Sequence, residues 1–302
     1  MAEERWITHF TGSESKHKDQ DVKAYLFCFG HAGGSPADFH SWDEESGKGI
    51  LICPVCLPGH GERRQTDPPS DWQHARVEAL AKRIAPALER YAGSKPCALF
   101  GHSYGALLAF ETAKLMRISK PVYLIVSGRN APHIPDPKPG ESRISEIPND
   151  NEFVKAVAQR YNDTSLMDVS VKHPEMLSFF LPQLRADMES FESYKCADPR
   201  VGTPAISCPI CVCAGAADPR VSDEGLSAWN DHTKSKTPVK VVRFPGDHFY
   251  TKTEQRKPLI AEIEKLVTDA LPKKEPQVDL YAGFGTGYSD YNPYEDPSFG
   301  FC

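Results

Sequence analysis

A serine lies between two glycines at residues 101–105, in the stretch Gly-His-Ser-Tyr-Gly. An apolar run, Cys97 to Phe100, precedes it, and a helix-forming stretch, 105–117, follows it. The glycines allow a tight turn from strand to helix that lifts the Ser103 hydroxyl above the edge of a sheet. Backbone N–H groups at the start of the helix then point toward that hydroxyl. The pattern predicts a nucleophilic serine with oxyanion donors beside it.

A serine nucleophile needs a base, and the base needs a carboxylate that orients it. In hydrolases built on this strand–turn–helix arrangement, the order along the chain is serine, acid, histidine. Asp218 follows the apolar run 210–215, and His248 follows the run 239–244. Each lies just beyond the carboxyl end of a predicted strand, the sheet edge at which Ser103 also lies. We therefore predict Asp218 and His248 as the catalytic partners of the serine.

Other residues compete for these roles. His31 lies in a glycine-rich loop that we assign to oxyanion binding rather than to proton transfer. His102 is adjacent to Ser103, so its side chain is expected to point elsewhere. Asp247 is adjacent to His248, and neighbouring residues on such a loop rarely face each other.

The oxyanion hole is expected to use two backbone N–H groups. One belongs to Tyr104, the residue after the serine, and the other comes from the loop 29–35 after the first strand. In that loop we choose Ala32. The alternative is that residues 31–34 form only a flexible turn.

Six short apolar runs are typical of strands buried on both faces of a parallel sheet. They cover residues 24–29, 50–55, 97–100, 122–127, 210–215 and 239–244. Helical patterns lie between them at 71–92, 105–117 and 258–271, and Pro86 is expected to kink or end the first. This alternation predicts an α/β fold with a mostly parallel, doubly wound sheet.

Two segments break the alternation. Residues 132–200 hold no strand-like run and carry helical patterns at 151–161 and 174–195, which indicates a helical insertion. The segment 274–302 has glycine, acidic residues and scattered aromatics without periodicity, and we expect it to be disordered. The organisation expected is one domain over 1–273 followed by this tail.

Composition excludes several classes of protein. The net charge of −6 over 302 residues offers no basic field for nucleic acid. No apolar run approaches the ~20 residues that span a bilayer, and the first residues lack the apolar segment of a secretory signal. We expect a cytoplasmic protein with reduced thiols.

The cysteines within 53–56 and 208–213 have the spacing of metal ligands. Cysteine in such apolar stretches packs as a small hydrophobe, however, and no metal is expected.

Seven stretches carry a resemblance to a known family. They are "FGHAGGS" (29–35), "LPGHGERR" (57–64), "LFGHSYGALLAFETA" (99–113), "VSGRNAP" (126–132), "LPQLRADMESFESY" (181–194), "CAGAADPRVS" (213–222) and "FPGDHFY" (244–250). In this order they resemble the type II thioesterases of the α/β-hydrolase fold. That family includes the external thioesterases of polyketide and nonribosomal peptide synthetases and the medium-chain thioesterase of animal fatty-acid synthase. The "LPQLRAD" stretch separates it from generic lipases.

The resemblance implies a function and a site. Ser103, Asp218 and His248 match the family's catalytic triad, and Ala32 and Tyr104 match its oxyanion donors. The implied enzyme hydrolyses acyl thioesters on the phosphopantetheine arm of an acyl or peptidyl carrier protein, to clear stalled groups or to release chains. The helical insertion corresponds to the mobile lid that shapes the acyl channel. We expect a monomer with no cofactor, no nucleic-acid partner and no membrane partner.

The sequence departs from the family at two places and leaves other functions open. Gly30 stands where the family usually has proline, and His60 stands where it often has arginine. One alternative is a carboxylesterase or lipase that acts on oxygen esters. Another is a non-catalytic protein that binds a carrier protein.

Two groups of side chains have two interpretations each. Apolar residues of the insertion either pack on the core or line the acyl channel; they are Phe179, Phe180, Leu184 and Met188. Three cations are either solvated surface or contacts for an acidic carrier protein; they are Arg63, Arg64 and Arg117.

Overall fold

Six parallel strands form one sheet in the order β2-β1-β3-β4-β5-β6. The computed structural model describes residues 6–8, 21–47, 49–67, 72–201 and 205–272. The strands are β1 Ala24–Phe29, β2 Ile50–Pro54, β3 Cys97–His102, β4 Tyr123–Ser127, β5 Ile210–Gly215 and β6 Lys240–Phe244. All six apolar runs are therefore strands, and the predicted parallel sheet is confirmed.

Helices cover both faces of this sheet. In the described part of the chain they are α1 His40–Glu45, α2 Val77–Ala92, α3 Tyr104–Leu115, α4 Asp150–Tyr161, α5 Thr164–Lys172, α6 Pro174–Ser193, α7 Asp223–Ser227 and α8 Arg256–Ala270. Helices α4, α5 and α6 lie between β4 and β5, where the sequence indicated a helical insertion. Helix α5 was not predicted from the sequence; it is short, and none of its residues is fully buried.

Successive strand residues face opposite sides of the sheet, as the pleat requires. In β1, Phe27 packs in one core cluster with Leu107 of α3, whereas Leu26 packs in the other with Ile263 of α8. Strands β1–β5 are largely buried, whereas β6 is mostly exposed, contrary to the expectation of burial on both faces. Parallel pairing places the loops at the carboxyl ends of all six strands along one edge. That edge is where the candidate residues lie.

Pro86 lies inside α2, which continues to Ala92 instead of ending at the proline. A proline in a helix interior costs about 3 kcal/mol, because it removes a hydrogen bond and crowds the preceding turn. Ile84 and Leu88 on the same helix are fully buried, and each such burial contributes about 1.5–3 kcal/mol. Packing of the apolar face therefore offsets the cost of the proline.

The cysteines with metal-like spacing are all buried. Cys53, Cys208, Cys211 and Cys213 belong to the apolar core clusters, as expected, whereas Cys56 Sγ lies 3.3 Å from the carbonyl oxygen of His60. Burial raises the pKa of Cys208 to about 12, so its sulfur stays a neutral thiol.

No helix within the described residues has both the length and the apolar character needed to cross a lipid bilayer. The predicted tail, 274–302, lies outside the described residues.

Candidate active site

Ser103 lies at the turn between β3 and α3, at the carboxyl edge of the sheet. Its backbone has φ 55° and ψ −115°, a region in which residues with a Cβ are strained by about 1–3 kcal/mol. Its N–H donates to the carbonyl oxygen of Ser127 at the end of β4, at 2.8 Å. The serine is only 7% exposed. A strained, anchored turn therefore holds this hydroxyl at the sheet edge.

The two glycines that flank the serine permit close backbone approach. A Cβ on Gly101 would lie 2.2 Å from the carbonyl oxygen of Gly105, and a Cβ on Gly105 would lie 2.3 Å from that of Phe29. Both contacts are with backbone, which cannot rotate away. The glycine spacing is thus a packing requirement of the turn.

Replacing Gly105 with alanine is expected to lower the free energy of unfolding by about 3 kcal/mol, because the added methyl group overpacks a rigid site. Denaturant-induced unfolding measures the change. Gly30→Ala is the matched control, since its nearest neighbours would be 3.9 Å from the new Cβ, and its effect is expected to stay within about 0.5 kcal/mol. Equal unfolding midpoints for the two variants would contradict the close approach at Gly105.

Asp218 and His248 form a buried pair beyond the ends of β5 and β6. The His248 Nδ1 atom lies 2.8 Å from Asp218 Oδ2. The other carboxylate oxygen accepts the backbone N–H of Arg220 at 2.9 Å. A carboxylate only accepts hydrogen bonds, so Nδ1 of His248 carries the proton and donates it. When the ring is neutral, Nε2 is therefore left to accept a proton from another group.

One cavity of about 180 Å³ brings the candidate residues together. Ser103, His248, Ala32 and Tyr104 all line it, and Asp218 lies behind the imidazole. The arrangement has a hydroxyl, a base with a free nitrogen, and two backbone N–H groups around the same space. Chemically, this set of groups can carry out acyl transfer.

The hydrogen bonds of the loop after β1 identify which of its N–H groups is free. Gly33 N–H donates to Asp187 Oδ2 at 2.8 Å, and Gly34 N–H donates to the His31 carbonyl oxygen at 2.9 Å. Among the residues that the structure describes, none accepts from the N–H of Ala32. The N–H groups of Gly33 and Gly34 are therefore occupied. The N–H of Ala32, which was predicted to bind the oxyanion, remains available.

The competing residues hydrogen-bond to other partners, although the His102 ring also packs on His248, with ring centroids 5.0 Å apart. His102 Nδ1 lies 2.9 Å from Ser127 Oγ. Burial, followed by the nearby His248 and His31, lowers the pKa of His102 well below its usual range, so this ring is neutral. Asp247 accepts hydrogen bonds from Asn162 Nδ2 and from the N–H of Phe249, at 3.1 and 3.0 Å.

His31 lines the cavity, as its loop position suggested. Its Nδ1 atom lies 2.9 Å from the carbonyl oxygen of Ala32, and its Nε2 atom lies 3.5 Å from Asp38. Burial is the main cause that lowers the pKa of His31, with Lys252 adding to the effect. The ring is therefore bound to its own loop rather than to the Asp218 pair.

The lid residues divide between the two interpretations. Phe180, Leu184 and Met188 of α6 line the cavity. Phe179 is 58% exposed and lies under the guanidinium of Arg64, 4.6 Å from the ring centroid. Further apolar lining comes from the insertion; these residues are Val157, Tyr161, Leu166, Val169 and Phe191. The cavity thus continues from the polar groups into an apolar space.

Arg63 is not a solvated surface residue. Its side chain is buried and donates to Asp67 Oδ2 at 2.7 Å and to the Cys56 carbonyl oxygen at 3.2 Å. Arg64 and Arg117 are exposed. The sequence alone could not separate these arginines, because adjacent residues of a short helical turn point in different directions.

Comparisons with known proteins identify the family. The family model described as "Thioesterase domain" matches residues 24–267, which is most of the chain. The chain belongs to the thioesterase family. It is therefore a thioester hydrolase, and the α/β-hydrolase fold expected from the sequence is confirmed.

Several thioesterases and biosynthetic proteins are similar to this family member. The gramicidin S biosynthesis protein GrsT of Aneurinibacillus migulanus is 34% identical over 232 residues, covering 76% of this chain and 83% of GrsT. The RedJ thioesterase from the prodiginine pathway of Streptomyces coelicolor is 31% identical, with a TM-score of 0.69 over 81% of this chain and 86% of RedJ. YbtT, a type II thioesterase from the yersiniabactin NRPS/PKS pathway, is 28% identical. The two structures superpose with a TM-score of 0.69 over 85% of this chain and 97% of YbtT.

Two supporting residues of this thioesterase were missed in the sequence. Arg220 fixes the second oxygen of Asp218 through its backbone N–H. Tyr161 of α4 packs on the imidazole of His248, with ring centroids 5.0 Å apart. Arg220 lies within the stretch "CAGAADPRVS", which the sequence analysis quoted. Its contact with Asp218 is made by the backbone N–H, so the residue type gives no sign of it.

Proposed function

We propose that this chain is a type II thioesterase that removes acyl groups from the phosphopantetheine arm of an acyl or peptidyl carrier protein. One observation carries the proposal: a single cavity joins the Ser103 hydroxyl and the His248 imidazole to an apolar lining from α4–α6. The resemblance to external thioesterases of polyketide and nonribosomal peptide synthetases supports a carrier-bound substrate. YbtT, named as a type II thioesterase of such a pathway, supports the same assignment.

In the first half-reaction, Ser103 Oγ attacks the thioester carbonyl carbon while His248 Nε2 takes the hydroxyl proton. Asp218 accepts from Nδ1 and stabilises the imidazolium. The N–H groups of Ala32 and Tyr104 donate to the oxyanion of the tetrahedral intermediate. The carbon–sulfur bond then breaks, and the thiol of the phosphopantetheine arm leaves with the proton from His248.

In the second half-reaction, water attacks the acyl-enzyme. His248 takes a proton from the water as the new carbon–oxygen bond forms, and it returns this proton to Ser103 Oγ when the ester bond breaks. The acid product leaves and the serine is regenerated. The same oxyanion donors serve both halves of the cycle.

The acyl group is proposed to bind in the apolar part of the cavity, under the lid formed by α4–α6 within residues 132–200. Phe180, Leu184 and Met188 supply apolar surface there, and burial of an acyl chain against it contributes about 0.8 kcal/mol per methylene group. The buried free thiols suit the reducing cytoplasm, where we place this reaction.

A substrate panel tests this proposal. The same set of acyl groups is presented on a phosphopantetheinyl carrier protein, on coenzyme A and as oxygen esters, and acyl loss is followed by mass spectrometry. We expect kcat/KM to be about tenfold or more higher for the carrier-bound thioesters, because contacts remote from the reacting bond favour them. Ser103→Ala is the control and is expected to leave the panel intact.

Two other outcomes would replace the proposal. Faster hydrolysis of the oxygen esters than of any thioester would make the protein a carboxylesterase or lipase. No turnover of the panel, together with no labelling by a fluorophosphonate probe, would favour a non-catalytic protein that binds carriers.

A further inference from the structure

A buried carboxylate on the lid helix α6 reaches the loop after β1. Asp187 Oδ2 accepts the backbone N–H of Gly33 at 2.8 Å and lies 3.0 Å from Nε2 of His60. The side chains of Asp187 and His60 are 6% and 5% exposed. One oxygen atom therefore joins three segments that are far apart in the sequence: the loop after β1, the loop after β2 and helix α6.

The geometry of His60 favours the cationic form of its ring in this cluster. Its Nε2 faces Asp187 Oδ2 at 3.0 Å, and its Nδ1 faces the Pro58 carbonyl oxygen at 3.0 Å. Both neighbours accept, and only an imidazolium donates from both nitrogens. Burial lowers the pKa of His60, but the charge and hydrogen bond of Asp187 outweigh it and raise the pKa above its usual value.

Packing reinforces the connection between α6 and the two loops. Gln183 Nε2 donates to the carbonyl oxygen of Gly59 at 2.8 Å. Leu184 packs so closely on Gly33 that a Cβ there would lie 2.9 Å from the leucine Cδ1. Within the described residues, α6 thus holds both loops through adjacent turns of the same face.

We propose that Asp187 is a positioning residue for the oxyanion hole: with His60 as its counter-charge, it holds Gly33 and thereby fixes the preceding N–H of Ala32 toward Ser103. The inference rests on the proposed function, because it needs an oxyanion to form at that N–H. Asp187 does not line the substrate cavity, so it acts through Gly33. It also ties helix α6 to the loop after β1.

Asp187→Asn is the primary test, since the amide keeps the size of the side chain and removes its charge. We expect kcat/KM to fall about 10- to 100-fold, less than the ~10²–10³ that follows complete loss of an oxyanion donor. KM should stay within about twofold, because the ground-state thioester makes little use of the donor. Affinity for an alkyl boronic acid, which forms a tetrahedral adduct with the serine, should fall by the same factor as kcat/KM.

Glu192→Gln is the matched control on the same helix. Its buried carboxylate accepts from the N–H groups of Ile144 and Ser145 and from Arg160, and none of these belongs to the loop after β1. We expect this variant to lose stability while keeping kcat/KM within about twofold. A similar loss of activity in both variants, or unchanged boronic acid affinity in Asp187→Asn, would overturn the positioning role.

Variants of His60 keep the inference testable if Asp187→Asn fails to fold. His60→Arg retains a cation beside the carboxylate and is expected to keep boronic acid affinity near the wild-type value. His60→Gln removes the charge and is expected to weaken it about tenfold. Equal affinities in these two variants would contradict the inference, whereas failure of the wild-type enzyme to hydrolyse any thioester would contradict the proposed function instead.

Discussion

Ser103→Ala is expected to reduce kcat for thioester hydrolysis by about 10⁴–10⁶-fold, the range that loss of a serine nucleophile produces in enzymes with such a triad. The alanine keeps the Cβ and the strained backbone of the turn, so the fold and substrate binding should be retained. The variant still has its oxyanion donors, so some residual hydrolysis is expected. This hydrolysis would be slow, because water must then attack the thioester directly, without a covalent intermediate.

Steady-state kinetics with an acyl carrier thioester measures this change. Ser178→Ala is a suitable control, because the Ser178 hydroxyl donates to the Glu175 carbonyl oxygen on the exposed side of α6. That variant should retain wild-type activity. A Ser103→Ala enzyme within about tenfold of the wild type would mean that another group is the nucleophile.

Asp218→Asn is expected to reduce kcat by about 10⁴-fold. The wild-type carboxylate accepts from His248 Nδ1 at 2.8 Å, which leaves Nε2 free to take the serine proton. The second oxygen of Asp218 already accepts the N–H of Arg220, so an asparagine keeps its oxygen there and turns its NH₂ group toward Nδ1. The imidazole would then carry its proton on Nε2 and could not act as a base.

The adjacent carboxylate provides the control for this variant. Asp247 precedes His248 in the sequence but accepts from Asn162 and Phe249. Asp247→Asn should therefore change kcat by only a few-fold. If Asp247→Asn were the inactive variant and Asp218→Asn the active one, the roles of the two aspartates would be reversed.

Five of the six strands were predictable because they are largely buried and read as continuous apolar runs. Strand β6 is mostly exposed, and only its valines marked it as a strand. The order of the strands then brings Ser103, Asp218 and His248 to one edge, although Ser103 and His248 are 145 positions apart in the sequence. A general rule about the carboxyl ends of parallel strands was therefore sufficient for these residues. Helix α5 is short, and it was not predicted from the sequence.

The contacts of Asp187 could not be predicted from spacing. It meets His60 across 127 positions and Gly33 across 154, and no periodicity relates residues so far apart. The sequence showed only that "LPQLRAD" is characteristic and that His60 departs from the usual arginine. In the structure, Asp187 of this stretch contacts His60 directly.

If Ser103 is the nucleophile, it becomes acylated during turnover, and peptide mapping of the acid-quenched reaction detects the acyl group. The enzyme is mixed with a carrier-bound acyl thioester, quenched within one turnover and digested. We expect a mass increase equal to the acyl group on the peptide that contains Ser103, and none in Ser103→Ala. An acyl group found on a different residue, or turnover with no acylated peptide at any time, would contradict it.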